Sequence, residues 1–435
     1  MKIGFTLVIL SLAVNVLAQE RWTLDRCISH AIENNISIKQ QHNSIEQSEI
    51  NLNSAKMNCL PSVDASVSQS WSFGRGLTAD NTYANRNTTS TGFDLRTSVT
   101  LFQGMQKINN IAVRQCNLDA AIADLNKAKE DMGVNVASAY LQVLYSDELK
   151  KVAERQVELS ETMLNQKQKM VINGKASESE VAEAKSRLAQ DKMSVVQAQN
   201  DYQLALLELS QMLELQSPEG FAIEEPDTTS QLLRIATIEE VYADALNNKA
   251  IIKSDEKKIE GAEKNVSVAK GGYSPSLNLS AGIGSNYYTT SGYNNASFSD
   301  QLDQNFNKYV MLSLNIPVFN RFSTRNDVRS AKSQVTSMRL QLDADKKALY
   351  KEVQQAYYNA IAAQSKYGSS LSAEESAETS FRLMNKKYEN GKATQTEYNQ
   401  SRTEWLKTVG DRIQAKYEYI FRAKILDFYR GIAIN

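Results

Sequence analysis

Four short stretches of the chain alternate apolar and polar side chains, which is the pattern of a β-strand with one apolar face. They run from about Val63 to Phe73, Phe93 to Leu101, Leu277 to Ile283 and Val310 to Ile316. A proline stands shortly before the first and third stretches, where it ends a helix and favours extended chain. Alternation over about ten residues is typical of transmembrane β-strands, and equally of a half-buried sheet in a soluble protein.

The segments that join these stretches in pairs favour the membrane interpretation. Gly74 to Gly92 and Ser285 to Asn307 are rich in Asn, Thr, Ser, Tyr and Gly. Polar loops of this kind suit a solvated, external face. We therefore interpret the four stretches as membrane strands, with the lysine-rich helices on the opposite side of each pair.

The rest of the chain shows helical periodicity over long distances. An apolar stripe through Val134, Ala137, Leu141 and Leu144, with Glu, Lys and Gln elsewhere, indicates coiled-coil packing. Only 5 prolines and 18 glycines occur in 435 residues, which agrees with long elements. The predicted helices are Thr23–Met57, Met105–Ile172, Ser177–Leu215, Thr237–Lys270, Phe322–Asn390 and Thr394–Tyr429.

Two hairpin tips connect the longest helices to the helices that return from them. A glycine in each tip accepts the left-handed conformation that ends a helix. Ser177 is predicted to cap the first return helix, with Glu180 completing a capping box. Thr394 and Glu397 have the same spacing in the second. The tips are Asn173, Gly174, Lys175, Ala176 and Ser177, and Asn390, Gly391, Lys392, Ala393 and Thr394.

The same order of elements occurs twice, which predicts an internal duplication. Pro61 and Pro275 lie 214 positions apart, and Gly174 and Gly391 lie 217 apart. We expect a signal peptide at 1–18, a first repeat at 19–216, a linker at 217–236 and a second repeat at 237–435. The signal peptide is predicted from a basic start, an apolar run and small residues before Gln19.

Composition and chemistry argue against several classes of function. The net charge of -1 and a pI near 6.3 give no reason to expect nucleic-acid binding. No nucleophile–base set, phosphate loop or ligand cluster stands out, so we predict neither an enzyme nor a metal or cofactor site. Cys27, Cys59 and Cys116 are interpreted as packing residues. The first two lie near opposite ends of one predicted helix, too far apart for a disulfide.

The strands also constrain the assembly. Four strands cannot close a barrel, and open strand edges do not occur in lipid. A homotrimer would supply twelve strands, an even number of the kind that bacterial barrels have. The predicted fold is mainly α-helical with a transmembrane β part. Long antiparallel coiled-coil hairpins and four β-strands per protomer would form, in the trimer, a 12-stranded β-barrel and an α-helical barrel.

The duplicated plan, the paired strands, the strand ends at Phe102 and Phe319 and the tips at Gly174 and Gly391 resemble the TolC family of outer-membrane channel-tunnel proteins. The resemblance covers about Trp22 to Tyr429. It implies a homotrimer in outer-membrane lipid, with a helical tunnel that extends into the periplasm. It further implies the exit duct of a tripartite efflux pump, joined by a periplasmic adaptor protein to an inner-membrane pump.

Residue by residue, the resemblance implies that the adaptor docks on the two tips. It also implies a periplasmic gate at Glu180, Tyr388 and Glu397. Two positions depart from the family pattern, since Ala393 replaces an arginine and Gln400 replaces an acid. For Glu180 and Glu397, simple helix capping is an equally good interpretation.

Two other functions stay open from the sequence. The same fold can serve as the exit channel of type I protein secretion. An exported coiled-coil scaffold or adhesin, with a sheet outside the membrane and no conduction, belongs to a different class. The sequence identifies neither the transported substrate nor the partner adaptor and pump.

Overall fold

The computed structural model describes residues 21–77, 81–217, 220–225 and 235–432. The predicted signal peptide at 1–18 lies outside the described residues. The chain forms two compact units, each built from separate stretches of sequence. One unit contains residues 42–124 and 250–345, and the other contains the chain up to Gln41, residues 125–249 and the chain from Lys346 onward.

Helices make up most of the described chain. Helices α3 (Gln106–Ile172) and α8 (Ser323–Glu389) have 67 residues each, and α4 (Glu178–Met212) and α9 (Gln395–Tyr429) have 35 each. The four predicted long and return helices are confirmed to within three residues at each end. Within the described ranges, none of the helices is long and apolar enough to cross a membrane. The helices are α1 Leu24–Asn34, α2 Ile36–Met57, α3 Gln106–Ile172, α4 Glu178–Met212, α5 Ile238–Asn248, α6 Ala250–Gly271, α7 Phe298–Gln304, α8 Ser323–Glu389 and α9 Gln395–Tyr429.

The single helices predicted at Thr23–Met57 and Thr237–Lys270 are wrong, because each is broken in two. Asn35 ends α1 by donating its N–H to the carbonyl of Ala31, and its side-chain oxygen accepts the Ser37 N–H at the start of α2. Lys249 makes the corresponding break between α5 and α6. Neither break contains glycine or proline, and the helical periodicity of apolar residues continues across both. The sequence therefore shows no sign that the helices end there.

The three cysteines are free thiols. Cys27 and Cys116 are buried, as expected of packing residues, and Cys59 is partly exposed. The expectation that one helix separates Cys27 from Cys59 is wrong, because the break at Asn35 lies between them. Burial raises the pKa of the Cys27 thiol to about 12, so it stays protonated at neutral pH.

One unit contains a four-stranded antiparallel sheet. Its strands lie in the order β2 (Ser62–Ser72), β5 (Thr88–Gln103), β7 (Ser276–Thr290) and β8 (Asn307–Asn315). Strands β5 and β7 have 16 and 15 residues and extend into the segments predicted as loops. Those segments also contain the β3–β4 hairpin and α7, so the loop prediction is only partly right. Thr, Ser and Tyr suit loops, but Thr and Tyr are also good strand formers. The strands are β1 Arg21–Trp22, β2 Ser62–Ser72, β3 Arg75–Leu77, β4 Tyr83–Asn85, β5 Thr88–Gln103, β6 Ala222–Ile223, β7 Ser276–Thr290 and β8 Asn307–Asn315.

The register of this sheet gives it one apolar and one polar face. Directly opposed residues on neighbouring strands point to the same face. The predicted alternation therefore continues from strand to strand. Apolar rows are Val99–Leu279–Leu312 and Ala65–Leu95–Ile283, the second of which ends at Lys308 on the last strand. Rows on the other face are Ser66–Asp94–Gly284–Asn307 and Ser62–Ser98–Ser280, the second of which ends at Met311.

The other unit has an apolar core between α1, α3, α4 and α9. Tyr140, Leu209 and Ile413 are among its fully buried side chains. Strands β1 and β6 pair in parallel, and the Tyr140 hydroxyl donates to the carbonyls of Trp22 and Glu224 beside them. Part of the predicted linker at 217–236 is therefore structured. Residues 218–219 and 226–234 of that linker lie outside the described residues.

Two neighbouring carboxyl groups, of buried Asp255 on α6 and half-buried Asp345 on α8, lie in the unit that holds the sheet. Asp255 is 5% exposed, and its carboxyl group faces that of Asp345. Asp124 of α3 and Lys258 of α6 also face Asp255, with 3.3 Å between their own charged atoms. Burial, and then the proximity of the Asp345 carboxyl group, raise the pKa of Asp255 to about 6. The folded protein therefore holds this proton more tightly than the unfolded chain, whose Asp pKa is ~4.

This pair predicts a pH-dependent stability. Protonation of Asp255 adds to the free energy of unfolding fully below about pH 4, and this contribution is lost as the pH rises through about 6. We expect Asp255→Asn, which keeps a neutral hydrogen-bonding side chain, to remove on the order of 2 kcal/mol of this pH dependence. Thermal melts followed by circular dichroism at about pH 5 and pH 7.5 measure it. Glu256→Gln at the exposed neighbour is the control, and an unchanged pH dependence in Asp255→Asn would contradict the assignment.

Candidate functional site

Both predicted tips end their long helix with the same backbone motif. Gly174 and Gly391 have φ of +67° and +68°. At the first tip, the N–H of Gly174 donates to Val171 at 2.9 Å and that of Lys175 donates to Met170 at 2.8 Å, which makes a Schellman motif. The second tip repeats both bonds at the same distances. At both glycines the space for a side chain is open, so the left-handed backbone is what favours glycine.

Both predicted capping boxes are confirmed. The Ser177 hydroxyl accepts the Glu180 N–H at 3.4 Å, and the Glu180 carboxylate accepts the Ser177 N–H at 3.3 Å. Thr394 and Glu397 make the same exchange at 3.3 and 2.8 Å. The hydrogen bonds from Thr394 lower the pKa of the Glu397 carboxyl, which is therefore charged at neutral pH.

Lys167 of α3 connects two of the three predicted gate residues. Its Nζ lies 2.5 Å from Glu180 Oε2 on α4 and 4.8 Å from the centre of the Tyr388 ring on α8. Lys167 is only 7% exposed. Burial lowers its pKa, but hydrogen bonds with Glu180 and Tyr388 outweigh burial and give a net rise, so the lysine is charged. The same ion pair lowers the pKa of Glu180.

We call α3 and α4 the first hairpin and α8 and α9 the second hairpin. The Lys167–Glu180 ion pair lies wholly within the first hairpin, and the second hairpin meets it through an aromatic ring. That ring, Tyr388, stacks on buried Tyr398 with 4.8 Å between ring centres. Phe381 then links Tyr398 to Trp405 at 5.6 and 5.0 Å. The second hairpin thus fixes the ring that it presents to the lysine.

A buried guanidinium connects the two hairpins further from the tips. Arg402 of α9 donates from Nη2 to Asp191 Oδ2 on α4 at 2.8 Å and to Ser160 Oγ on α3 at 2.7 Å. Arg402 is 3% exposed and Asp191 is 5% exposed. The side-chain amide of Gln156 lies against this guanidinium, and Arg187 Nε lies 3.4 Å from the other Asp191 oxygen. We call these five residues the Arg402 cluster.

Glu397 does not join Glu180 and Tyr388. Its carboxylate stays with Thr394 at the start of α9, and its side chain is exposed. Nearby, the side-chain amide of Asn399 donates to Glu183 at 3.3 Å and links α9 to α4. The structure therefore brings two of the predicted gate residues together through Lys167 and leaves the third apart.

The sequence interpretation missed Lys167 and the Arg402 cluster. Ala393 contributes no charge at the second tip. The structure places a cation beside Glu180 from α3. Lys167 and Glu180 are 13 residues apart across a turn, and Arg402 and Asp191 are 211 apart. No local motif relates residues at such separations.

The side chains at the tips and in the Arg402 cluster interact through ion pairs, hydrogen bonds and aromatic contacts. The ionic groups described above pair with one another or cap helices. Among the residues in the described ranges, no three or more His, Cys, Asp or Glu side chains are placed to hold a metal ion. The interacting side chains can hold the first and second hairpins together through contacts that break when the hairpins separate.

The chain matches the model of a family described as outer membrane efflux protein, over residues 27–214 and 241–427. The chain belongs to the outer membrane efflux protein family. This membership confirms the resemblance inferred from the sequence and places the chain among outer-membrane proteins. One matched segment falls in each predicted repeat.

Two relatives are similar to the chain over much of its length. Protein CyaE of Bordetella pertussis is 24% identical over 298 residues, which is 66% of this chain and 61% of the relative. Outer membrane efflux protein BepC of Brucella suis is 21% identical over 325 residues, 74% of this chain and 66% of the relative. The chain thus spans less than two thirds of each relative.

A solved structure shares the fold of this family member. The outer membrane protein VceC from Vibrio cholerae superposes with a TM-score of 0.76 over 95% of this chain and 97% of that one. Their sequences are 16% identical. The likeness confirms the predicted mainly helical fold with a smaller β part.

Proposed function

We propose that the chain is the outer-membrane exit duct of a tripartite efflux pump, which conducts small molecules from a periplasmic adaptor and inner-membrane pump to the exterior. The observation that carries this proposal is the two-faced sheet with unpaired edges. Within the described residues, β2 and β8 each pair with one strand only. Strand edges in lipid must be paired. A homotrimer in which β8 of one protomer pairs with β2 of the next closes a barrel of twelve strands.

The distribution of apolar side chains supports this barrel. On β8, Leu312 is 62% exposed and Val310 is 78% exposed. Apolar side chains that remain so accessible in one chain require cover from lipid or from another chain. In the proposed trimer the apolar rows face lipid and the serine-rich rows face an aqueous interior, as membrane barrels require.

We further propose that the chain consists of two structural repeats, 19–216 and 237–435, joined by a linker at 217–236 and preceded by a signal peptide at 1–18. The equal lengths of α3 and α8, and of α4 and α9, support the duplication. The placement of one family match in each half supports it as well. In the trimer, the long hairpins would form the helical tunnel in the periplasm.

The two tips are the proposed docking surface for the periplasmic adaptor. Both present the same backbone motif and an exposed lysine, Lys175 or Lys392. An adaptor would therefore contact two hairpin tips of closely similar structure on each protomer. The contact residues would be Asn173, Gly174, Lys175, Ala176 and Ser177, and Asn390, Gly391, Lys392, Ala393 and Thr394.

The proposed gate has two parts. Tyr388 on the second hairpin rests against the Lys167–Glu180 pair of the first hairpin and holds the hairpins together. Glu397, exposed and charged at the start of α9, would form a ring of three carboxylates at the periplasmic entrance. Adaptor binding would move the second hairpin and widen that ring.

Ion selectivity tests the carboxylate ring. We expect Glu397→Lys to lower the preference for cations severalfold, because three positive charges replace three negative ones in a narrow passage. Reversal potentials in planar bilayers under a salt gradient measure the change. Glu375→Lys, at an exposed position on α8 further from the tip, is the control. An unchanged selectivity would remove Glu397 from the constriction.

Conductance tests the proposed function itself. A duct predicts discrete conductance steps when the detergent-solubilised protein is added to a planar bilayer. A scaffold or adhesin predicts none, even when Tyr388 is removed to release the hairpins. A type I protein-secretion channel would also conduct, and loss of drug resistance or of a secreted protein in a deletion strain separates these two uses.

A further inference from the structure

The two hairpins are held together by different kinds of contact near the tips and further from them. Near the tips, both charged partners, Lys167 and Glu180, belong to the first hairpin. Tyr388 of the second hairpin contributes a neutral ring. When the second hairpin moves away at this level, the ion pair stays whole and no charge is left without its partner.

The Arg402 cluster is different because its charges belong to opposite hairpins. Arg402 lies on α9, about two turns into the helix, and Asp191 lies on α4. Both are almost fully buried, and the Ser160 hydroxyl donates to the same carboxylate oxygen that binds the guanidinium. To part the hairpins here would leave a buried guanidinium unpaired, which costs far more than moving a ring from a cation.

We infer that Arg402 is a positioning residue that anchors the second hairpin, so that its tip side moves during opening while α9 stays bound to α3 and α4 at the Arg402 cluster. The inference rests on the proposed gate and specifies where its motion ends. Release of Tyr388 opens the contact near the tips. The hairpin then bends or pivots at the first point where parting would separate buried charges.

The cluster also shows which variant is suitable for a test. Asp191 has a second guanidinium neighbour, Arg187, which is partly exposed. Removal of Arg402 therefore leaves Asp191 with a cation beside it, whereas removal of Asp191 would strand buried Arg402. Arg402→Met, similar in length and uncharged, is the milder change. Arg402→Lys keeps the charge and serves as the conservative control.

The experiment measures distances between spin labels in the detergent-solubilised protein, with its native cysteines replaced by alanine. One label pair, at Lys175 and Lys392, reports on the tips. A second pair, at Glu154 and Lys407, lies on the side of Arg402 away from the tips. All four positions are exposed. Single-channel recordings of the same variants give the open fraction.

We expect Tyr388→Ala to broaden the distance distribution of the tip pair alone. Arg402→Met should broaden both pairs and raise the open fraction about tenfold. Arg402→Lys should keep the second pair narrow. Should Arg402→Met fail to fold, Arg402→Gln provides the same test with a polar, uncharged side chain, and it is also expected to broaden both pairs.

A folded Arg402→Met or Arg402→Gln protein with a second pair as narrow as in the unmodified protein would overturn the anchor. So would a Tyr388→Ala protein in which both pairs broaden. The distances between spin labels can be measured whether or not the protein conducts. The proposed duct and the proposed anchor at Arg402 can therefore be contradicted independently. Absence of conductance in the unmodified protein overturns the duct, and unchanged distances in a conducting protein overturn the anchor.

Discussion

Arginine in place of Leu312 is expected to prevent recovery of the trimer from the outer membrane, whereas arginine at the adjacent Ser313 should leave it intact. Leu312 lies in the apolar row with Val99 and Leu279, and it is 62% exposed in the single chain. A charged side chain on the lipid face of a barrel costs about 2–4 kcal/mol near the membrane centre. A trimer carries this cost three times.

Ser313 is the matched control because it is the next residue on the same strand and belongs to the opposite face. Both variants introduce the same charge and the same bulk into β8. Trimer yield from isolated outer membranes, compared by native electrophoresis, measures the difference. Equal recovery of the two variants, whether both high or both low, would contradict the assignment of lipid and interior faces.

Loss of the Tyr388 ring is expected to open the channel. Tyr388→Ala removes the contact with Lys167 and the stacking on Tyr398, but leaves the Lys167–Glu180 ion pair in place. Cation–π and aromatic contacts are each worth about 0.5–2 kcal/mol. Their combined loss would raise the open fraction about tenfold or more.

Tyr388→Phe separates the ring from the hydroxyl. It keeps the stacking and the cation–π contact with Lys167, and it loses the hydrogen bonds of the hydroxyl with Gln395 and Lys167. We expect single-channel recordings of this variant to resemble the unmodified protein. If Tyr388→Phe opens the channel as much as Tyr388→Ala, the hydroxyl holds the hairpin. If neither opens it, Tyr388 is not part of the gate.

Local sequence signals predicted the hairpins well. Glycine at Gly174 and Gly391, followed by Ser or Thr and then Glu, encodes a helix end and a new helix start within a few residues, and both tips form as expected. The alternation in the strands also fixed their two faces. In each case the physical cause lies within a few positions along the chain.

Other features depend on side chains that serve two purposes. Asn35 ends one helix and starts the next with a short polar side chain, which a search for glycine and proline does not detect. The start of β5 and the end of β7 are rich in Thr, Ser and Tyr, a composition that is as typical of loops as of strands. These segments form strands because each one pairs with a neighbouring strand, which the local sequence does not show.

The contacts at the proposed gate are made by side chains that are distant in sequence and are brought together by packing. Sequence comparison by position pointed to Glu180 and Tyr388 and noted that Ala393 lacks the arginine of the family. The cation at Glu180 is supplied by Lys167 from the preceding helix, and Arg402 pairs with Asp191 from the other half of the chain. Such partners are fixed by the three-dimensional arrangement of the hairpins.

The native mass of the protein extracted from outer membranes in detergent tests the central claim most directly. Closure of a twelve-stranded barrel from four-stranded sheets requires three chains. We expect a membrane-bound particle with the protein mass of three chains after correction for detergent. A monomer or dimer, or recovery in the soluble fraction, would contradict the proposed exit duct.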